Sequence, residues 1–372
     1  MAARLLRFLA PALALASLAS ADTSKSQLPN NGFPNLEPSQ LLEIEIKADG
    51  VLPTSPPPPR LSNSTLQTFQ VIAINEQWEV AFFNTLLNNI LNNEPGYESW
   101  DDEAQKAREK IVQVILKQEE LHALNARGIL QNFKAFVPDP CRYNFPPGDI
   151  RSAFKFAQTF TALVVGALGD ASQGAAANGD IQVPRALSSV IGEESEQQGY
   201  YRTVLGQVPT EKPFVTFGLG IYLFSWLNNV ATIPDSCSYD VYGLGIPIIP
   251  QLYADGSATG LDVEPKNQTI KFSADLSKAP AAKPYIGHGG TGLYVTYLNG
   301  AQKPVSLPIV NVHWHGEEIV FEAFFPFEEY IMFGHTFAAL TIGNDFNVLT
   351  DANKLIENTL AAPAFINVYD FF

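Results

Sequence analysis

No stretch of the chain beyond its N-terminus is apolar for long enough to cross a bilayer. The richest, Phe214 to Leu227, is interrupted by two glycines, and a spanning helix needs about 20 apolar residues. Basic residues are scarce too. Lys and Arg number 23 against 38 Asp and Glu, a net charge of −15, and they form no cluster. Such a chain repels phosphate backbones, which excludes nucleic acid as a partner. There is no Gly-x-Ser-x-Gly elbow, Walker loop or His-Glu-x-x-His, so no catalytic residue is assigned. The adjacent acids Glu328-Glu329 would face opposite ways on a strand and make no carboxylate pair. There is also no internal repeat. Cysteine is limited to Cys141 and Cys237, two residues to be read as one disulfide or as two buried thiols.

What is present begins with an export leader over residues 1–21. Arg4 and Arg7 precede an apolar run from Phe8 to Leu18, and Ala19-Ser20-Ala21 closes it as a small-x-small cleavage site. The chain is therefore read as secreted. In an oxidising compartment the two cysteines read as a bridge. The triplets Asn63-Ser64-Thr65 and Asn267-Gln268-Thr269 become usable glycosylation sites there.

Composition divides the remainder in three. Residues 22–62, ending in Pro56-Pro57-Pro58-Pro59, read as an extended or disordered lead-in without a packed core. Residues 64–235 carry helical apolar spacing. Residues 236–372 show short alternating runs such as Leu293-Tyr294-Val295-Thr296-Tyr297, punctuated by Gly, Pro and Asn, and read as β-rich and sandwich-like. The fold class is α+β.

The helical half carries a polar layer. One stripe runs Leu66, Phe69, Ala73, Glu76, Val80, Phe83, Leu87, Ile90, in steps of three and four, the seam of a helix in a bundle. A second runs Val112, Ile115, Glu119, His122, Ala126, Ile129, and a third Phe154, Ala157, Thr161, Val164, Leu168. The fourth, opened by Pro184, runs Leu187, Val190, Glu194, Gln197, Tyr201, Val204. Each seam is interrupted midway by polar groups. An isolated buried carboxylate must be paired, protonated or bound to a cation. Glu119 and His122, at i and i+3, project from one face and reach the same ion.

The segments Glu76-Gln77-Trp78-Glu79-Val80-Ala81-Phe82-Phe83, Glu119-Glu120-Leu121-His122-Ala123 and Glu194-Ser195-Glu196-Gln197 resemble the ferritin-like superfamily. The similarity is to fungal secreted stress-response and late-sexual-development proteins related to plant desiccation-related proteins. Phe325-Pro326-Phe327-Glu328-Glu329, Met332 and Gly334-His335-Thr336-Phe337 resemble that family's C-terminal part. The resemblance implies a four- or five-helix bundle with a di-metal site. A full site of that kind draws a glutamate from each of two helices and Glu-x-x-His from each of the other two. Here Gln197 stands where the second histidine belongs, and Thr161 occupies the third seam on a helix with no Asp or Glu between Ile150 and Gly169.

The expected site is therefore degenerate. Its ligand candidates are Glu76, Glu119, His122 and Glu194, with Glu79, Thr161 and Gln197 as neighbouring or lost-ligand positions. The expected cofactor is none, or Fe, Mn or Zn at partial occupancy. The resulting reading is a secreted stress- or development-associated protein, non-catalytic or weakly metal-binding. Its rivals are a secreted di-metal oxidoreductase acting on oxygen or peroxide, and a module that associates with cell wall or extracellular matrix. A second, weaker candidate cluster is His313, His315 and Glu317, which would share one face of a strand. The same segment also reads as a solvent-facing strand edge. His288 reads as a turn residue and His335 as a packing residue.

Overall fold

The computed structural model of the protein describes residues 27–98, 102–146 and 148–371, so the leader at 1–21 lies outside the described residues. Four long helices make the N-terminal bundle: α2 (Asn63–Leu91), α3 (Asp102–Asn132), α4 (Ile150–Ala177) and α5 (Val183–Val204), preceded by α1 (Pro38–Lys47). Their starts are written locally. The Ser62 hydroxyl accepts from Thr65 N at 3.1 Å and the Asp149 carboxylate from Ser152 N at 2.8 Å, each capping an otherwise unpaired amide. Pro184 sits in the first turn of α5, where its missing N–H costs nothing. Helix α2 packs on α3, α4 on α5, and α2 also crosses α4. A short helix, α6 (Gly220–Trp226), runs into a π turn at Leu227–Ala231 and packs on α2 and α4. No described helix is long and apolar enough to cross a membrane.

The C-terminal part holds two sheets. The first has the order β1 (Tyr253–Ala254), β3 (Gln268–Asp275), β7 (Glu318–Phe325), β6 (Val310–His315). The second has the order β2 (Leu261–Asp262), β9 (Thr359–Val368), β8 (Gly334–Ile342), β4 (Leu293–Asn299), β5 (Val305–Pro308). Two helices interrupt them, α7 (Phe327–Tyr330) and α8 (Val348–Glu357). The protein is thus α+β, with its helical part followed by a sheet-rich part.

Alternation along β4, β8 and β9 explains how the parts join. Leu298, Phe337, Ala339 and Phe365 point into the core of the bundle, whereas Val295, Tyr297, Ala338, Leu340, Ala364 and Ile366 point into the core shared by the two sheets. Successive strand residues face opposite ways, so the second sheet is covered on both sides. This accounts for the near-continuous burial of β8 and β9. Gly166 is required where α4 meets the chain before α6, since a Cβ there would lie 2.3 Å from Gly218 N. Cys141 and Cys237 are joined across 96 residues. The bridge ties the α3–α4 connection to the segment after α6.

The lead-in needs correcting. Residues 22–62 were expected to lack packed structure, but α1 lies within them. Its first turn is supported by the Gln40 side chain, which accepts from Glu37 N at 2.7 Å. Ile44 and Ala48 are buried against Leu121 of α3, and the Asn31 amide donates to Glu120 Oε2 at 2.7 Å. The spacing of Leu41, Ile44 and Ala48 supplies an apolar face that a proline-rich composition obscured. The proline run at 56–59 has neither helix nor strand.

Candidate metal centre

The polar layer of the bundle gathers at one level. Ligand atoms of Glu76 (α2), Glu119 and His122 (α3) and Glu194 (α5) all lie within 4.8 Å of one another. The helical period brings them there, because each occupies the inward seam of its own helix at similar depth. His122 Nδ1 is 3.0 Å from Glu119 Oε2, 3.7 Å from Glu76 Oε2 and 3.8 Å from Glu194 Oε1. The three carboxylates are at most 1% exposed, and the imidazole side chain is 16% exposed.

Gln197 has a definite job at this level. Its Nε2 donates to Glu119 Oε1 at 2.6 Å and Glu193 Oε1 at 2.8 Å, and its Oε1 accepts from the Tyr201 hydroxyl at 2.7 Å. The amide that stands in the place of an expected ligand therefore holds two carboxylates in position. Glu79 is also wholly buried beside the cluster and accepts from Asn75 Nδ2 at 2.9 Å. Thr161 is buried on the α4 side, its hydroxyl without a hydrogen-bond partner. Glu193 escaped the sequence reading. It lies off the α5 seam, yet its Oε2 is 3.7 Å from His122 Nε2. Its position four residues before Gln197 was the available signal.

The electrostatics are one-sided. Burial raises the pKa of Glu76 against the pull of His122. It raises Glu79 and Glu194 well above the carboxylate range, helped by the neighbouring carboxylates. Glu193 is pushed up to about 7, by burial and then by Glu119. Burial alone would pull His122 down, but Glu119 and Glu76 override it and hold the imidazolium well above its ordinary range. Both oxygens of Glu194, together with Glu76 Oε2 and Glu79 Oε1, have no hydrogen-bond partner. Orphaned carboxylate oxygens around a single imidazole are the donor set a cation satisfies. The residues present fit one Fe, Mn or Zn ion. They fit two poorly, because α4 contributes no carboxylate to this cluster.

Glu194→Gln tests the imbalance directly. Replacing a carboxyl whose ionised form is disfavoured by burial and by the neighbouring carboxylates is expected to stabilise the metal-free protein by about 1–3 kcal/mol at neutral pH. A carboxyl whose folded pKa is raised loses its stabilising contribution as pH rises, so the gain should widen from about pH 5 upwards. Urea unfolding of both proteins across pH checks this, and a loss of stability at neutral pH would refute it.

The remaining sequence candidates do not gather. Among the described residues the Glu76 group is the one set of three or more potential ligands this close together. His313 and His315 are exposed on β6, but Gly316 at φ +68° turns the chain. Glu317 lies in that turn, and His315 pairs with Glu318 across it. The strand, and with it the expected common face, ends at His315, two residues before Glu317. His335 is buried, with Nδ1 2.8 Å from Asn367 Oδ1. Asn63 and Asn267 are both exposed, the latter bonded through its side chain to Glu328.

A bundle of four long helices with a carboxylate–histidine layer at mid-height is the ferritin-like architecture. Residues 62–207 match the family model for the ferritin-like domain, and this segment is such a domain. No curated protein matches the chain.

Proposed function

We propose that the protein is a secreted ferritin-like protein that holds a single transition-metal ion through Glu76, Glu119, His122 and Glu194. The observation that carries this reading is the meeting of their ligand atoms within 4.8 Å, with neither oxygen of Glu194 hydrogen-bonded. A bound Fe or Mn ion would supply redox chemistry, and Zn Lewis acidity. The residues of the chain supply position. Gln197 fixes Glu119 and Glu193, and Asn75 fixes Glu79. Thr161 leaves the α4 side without the carboxylate a second ion would need, which favours a binding role over oxygen or peroxide turnover. Glu79 and Glu193 act beside the site rather than in it.

Export is supported by the leader at 1–21 and by the Cys141–Cys237 bridge, and it makes Asn63 and Asn267 the positions for glycans. A place in stress or development, at the cell surface or in the wall, follows from the resemblance of the helical motifs to the fungal secreted proteins.

Elemental analysis of the secreted protein after reconstitution is expected to find about one equivalent of Fe, Mn or Zn per chain. The metal should raise the melting temperature, since it binds the folded state alone. Less than about a tenth of an equivalent of every transition metal would end the metal reading and leave a purely structural polar layer.

A further inference from the structure

A cavity of about 270 Å³ lies between α4, α5, the segment before α6 and the start of β8. The helical period places it. Glu194, Gln197 and Tyr201 lie on the inward seam of α5, and Ser195, Gln198 and Arg202, each one residue further on, line the cavity at the same three-and-four spacing. Ala162 and Val165 of α4 line it in the same way, beside Thr161 and Val164. The cavity therefore shares no residue with the candidate metal centre. Pro209, Thr210 and Val215 are exposed at its mouth, and Arg202, Thr216 and His335 are buried at its floor with Glu211 and Lys212 beside them.

The charges of the floor do not cancel. Glu211 is the one carboxylate of the lining, and two cations share it. Arg202 Nη2 donates to Glu211 Oε2, and Lys212 Nζ lies 3.5 Å from Oε1. The side chains of Arg202, Lys212 and Glu211 are 6%, 8% and 12% exposed, so salt screens them little. Burial would raise Glu211, but His335, Arg202 and Lys212 override it and hold its carboxyl at about 2. Burial lowers Lys212 to about 8 against the pull of Glu211, which leaves it mostly charged at neutral pH. Burial also lowers His335 to about 4, so its imidazole is neutral there. An excess positive charge remains, inside a chain whose net charge is −15. A buried charge without a counter-charge is costly.

Donors are open at the same place. Lys212 commits its N–H groups to Thr216 Oγ1 at 3.0 Å, the His335 carbonyl at 3.1 Å and Glu211, so it contributes field rather than contact. Arg202 Nη2 serves Gln198 and Glu211. Among the described residues no acceptor pairs with Arg202 Nε or Nη1, and neither atom is sealed from solvent. The other polar groups of the wall already donate within the chain: Ser195 to the Ile191 carbonyl, Gln198 to the Gln158 carbonyl and Thr216 to the His335 carbonyl. Between them stand Ala162, Val165, Pro209 and Val215, which offer apolar contact.

We propose that this cavity binds a small organic monoanion, a monocarboxylate with a short apolar body. Its carboxylate accepts from Arg202 Nε and Nη1, and its body lies against Ala162, Val165, Pro209 and Val215. One negative charge balances the floor. A dianion overshoots it, a neutral molecule leaves the excess in place, and a cation adds to it. The volume falls below the roughly 300–1,000 Å³ of pockets for drug-sized ligands, so the body is a single ring or a short chain. The site is independent of the metal reading.

The test is calorimetric titration of the full secreted protein with benzoate, its neutral analogue benzamide, and sulfate. Benzoate is expected to bind with a Kd of about 1 mM or lower, and the other two at least about tenfold more weakly. Thr210→Glu sets a competing carboxylate at the mouth from an exposed position and should weaken benzoate binding by about tenfold or more. Thr210→Gln, of the same length and uncharged, should change it by less than about threefold. Both variants should keep or raise the wild-type melting temperature. Arg202→Gln should abolish binding, and the Thr210 pair decides the matter if that variant does not fold. Benzamide or sulfate binding as tightly as benzoate, equal losses in the two Thr210 variants, or no benzoate binding at about 1 mM overturns the proposal.

Discussion

His122→Ala is expected to empty the metal centre and to destabilise the metal-free protein by about 3–5 kcal/mol near neutral pH, the range for breaking a buried ion pair by removing one partner. His122 is the cation that faces Glu76, Glu119, Glu193 and Glu194, at distances from 3.0 to 3.8 Å. Its removal leaves those carboxylates with no positive charge among them, and Glu119 Oε2 loses a direct hydrogen bond. The sign of the pH dependence follows from the imidazolium. Its folded pKa is raised above the ordinary 6.5, so its contribution is complete below that value and fades as pH rises through the raised one. This substitution and Glu194→Gln should therefore move stability in opposite directions, although both remove a metal ligand. Urea unfolding and elemental analysis of the two variants side by side check the pair. Equal losses in both would mean that the layer is an ordinary packed network without a charge imbalance.

The second large effect is expected from the bridge. Replacing Cys141 and Cys237 together by serine should cost about 4–5 kcal/mol, since a cross-link spanning 96 residues removes much of the freedom of the unfolded chain. The bridge also fastens the loop that follows α3 to the segment that leaves α6, so the double variant should loosen the bundle end first. Denaturant unfolding with and without a reducing agent measures both points. The wild-type protein should lose the same stability on reduction, and the serine variant should be indifferent to the reductant. A loss below about 1 kcal/mol would mean that loop closure contributes little and that packing around Cys141 and Tyr143 holds this region unaided.

The helices and the gathering of four ligand candidates were legible because both depend on spacing within single helices. Glu76, Glu119, His122 and Glu194 each fall on an apolar seam with a period near 3.6, and seams face inwards. Glu193 was not legible, because it sits one residue off the seam and reaches His122 from the flank. Neither was α1, which lies in a proline-rich stretch of the chain yet finds a partner in Leu121 of α3. The failure at His313, His315 and Glu317 has a different cause. Strand alternation predicts a shared face only while the strand lasts, and Gly316 ends it.

The doubly covered sheet gives the molecule an indivisible character. Strands β8 and β9 lend one set of side chains to the bundle and the alternate set to the opposing sheet. Water cannot reach one interface without stripping a face from strands that also hold the other. Helices and sheets are therefore one thermodynamic body rather than two lobes on a hinge. An ion bound among the helices would therefore steady strands that never touch it.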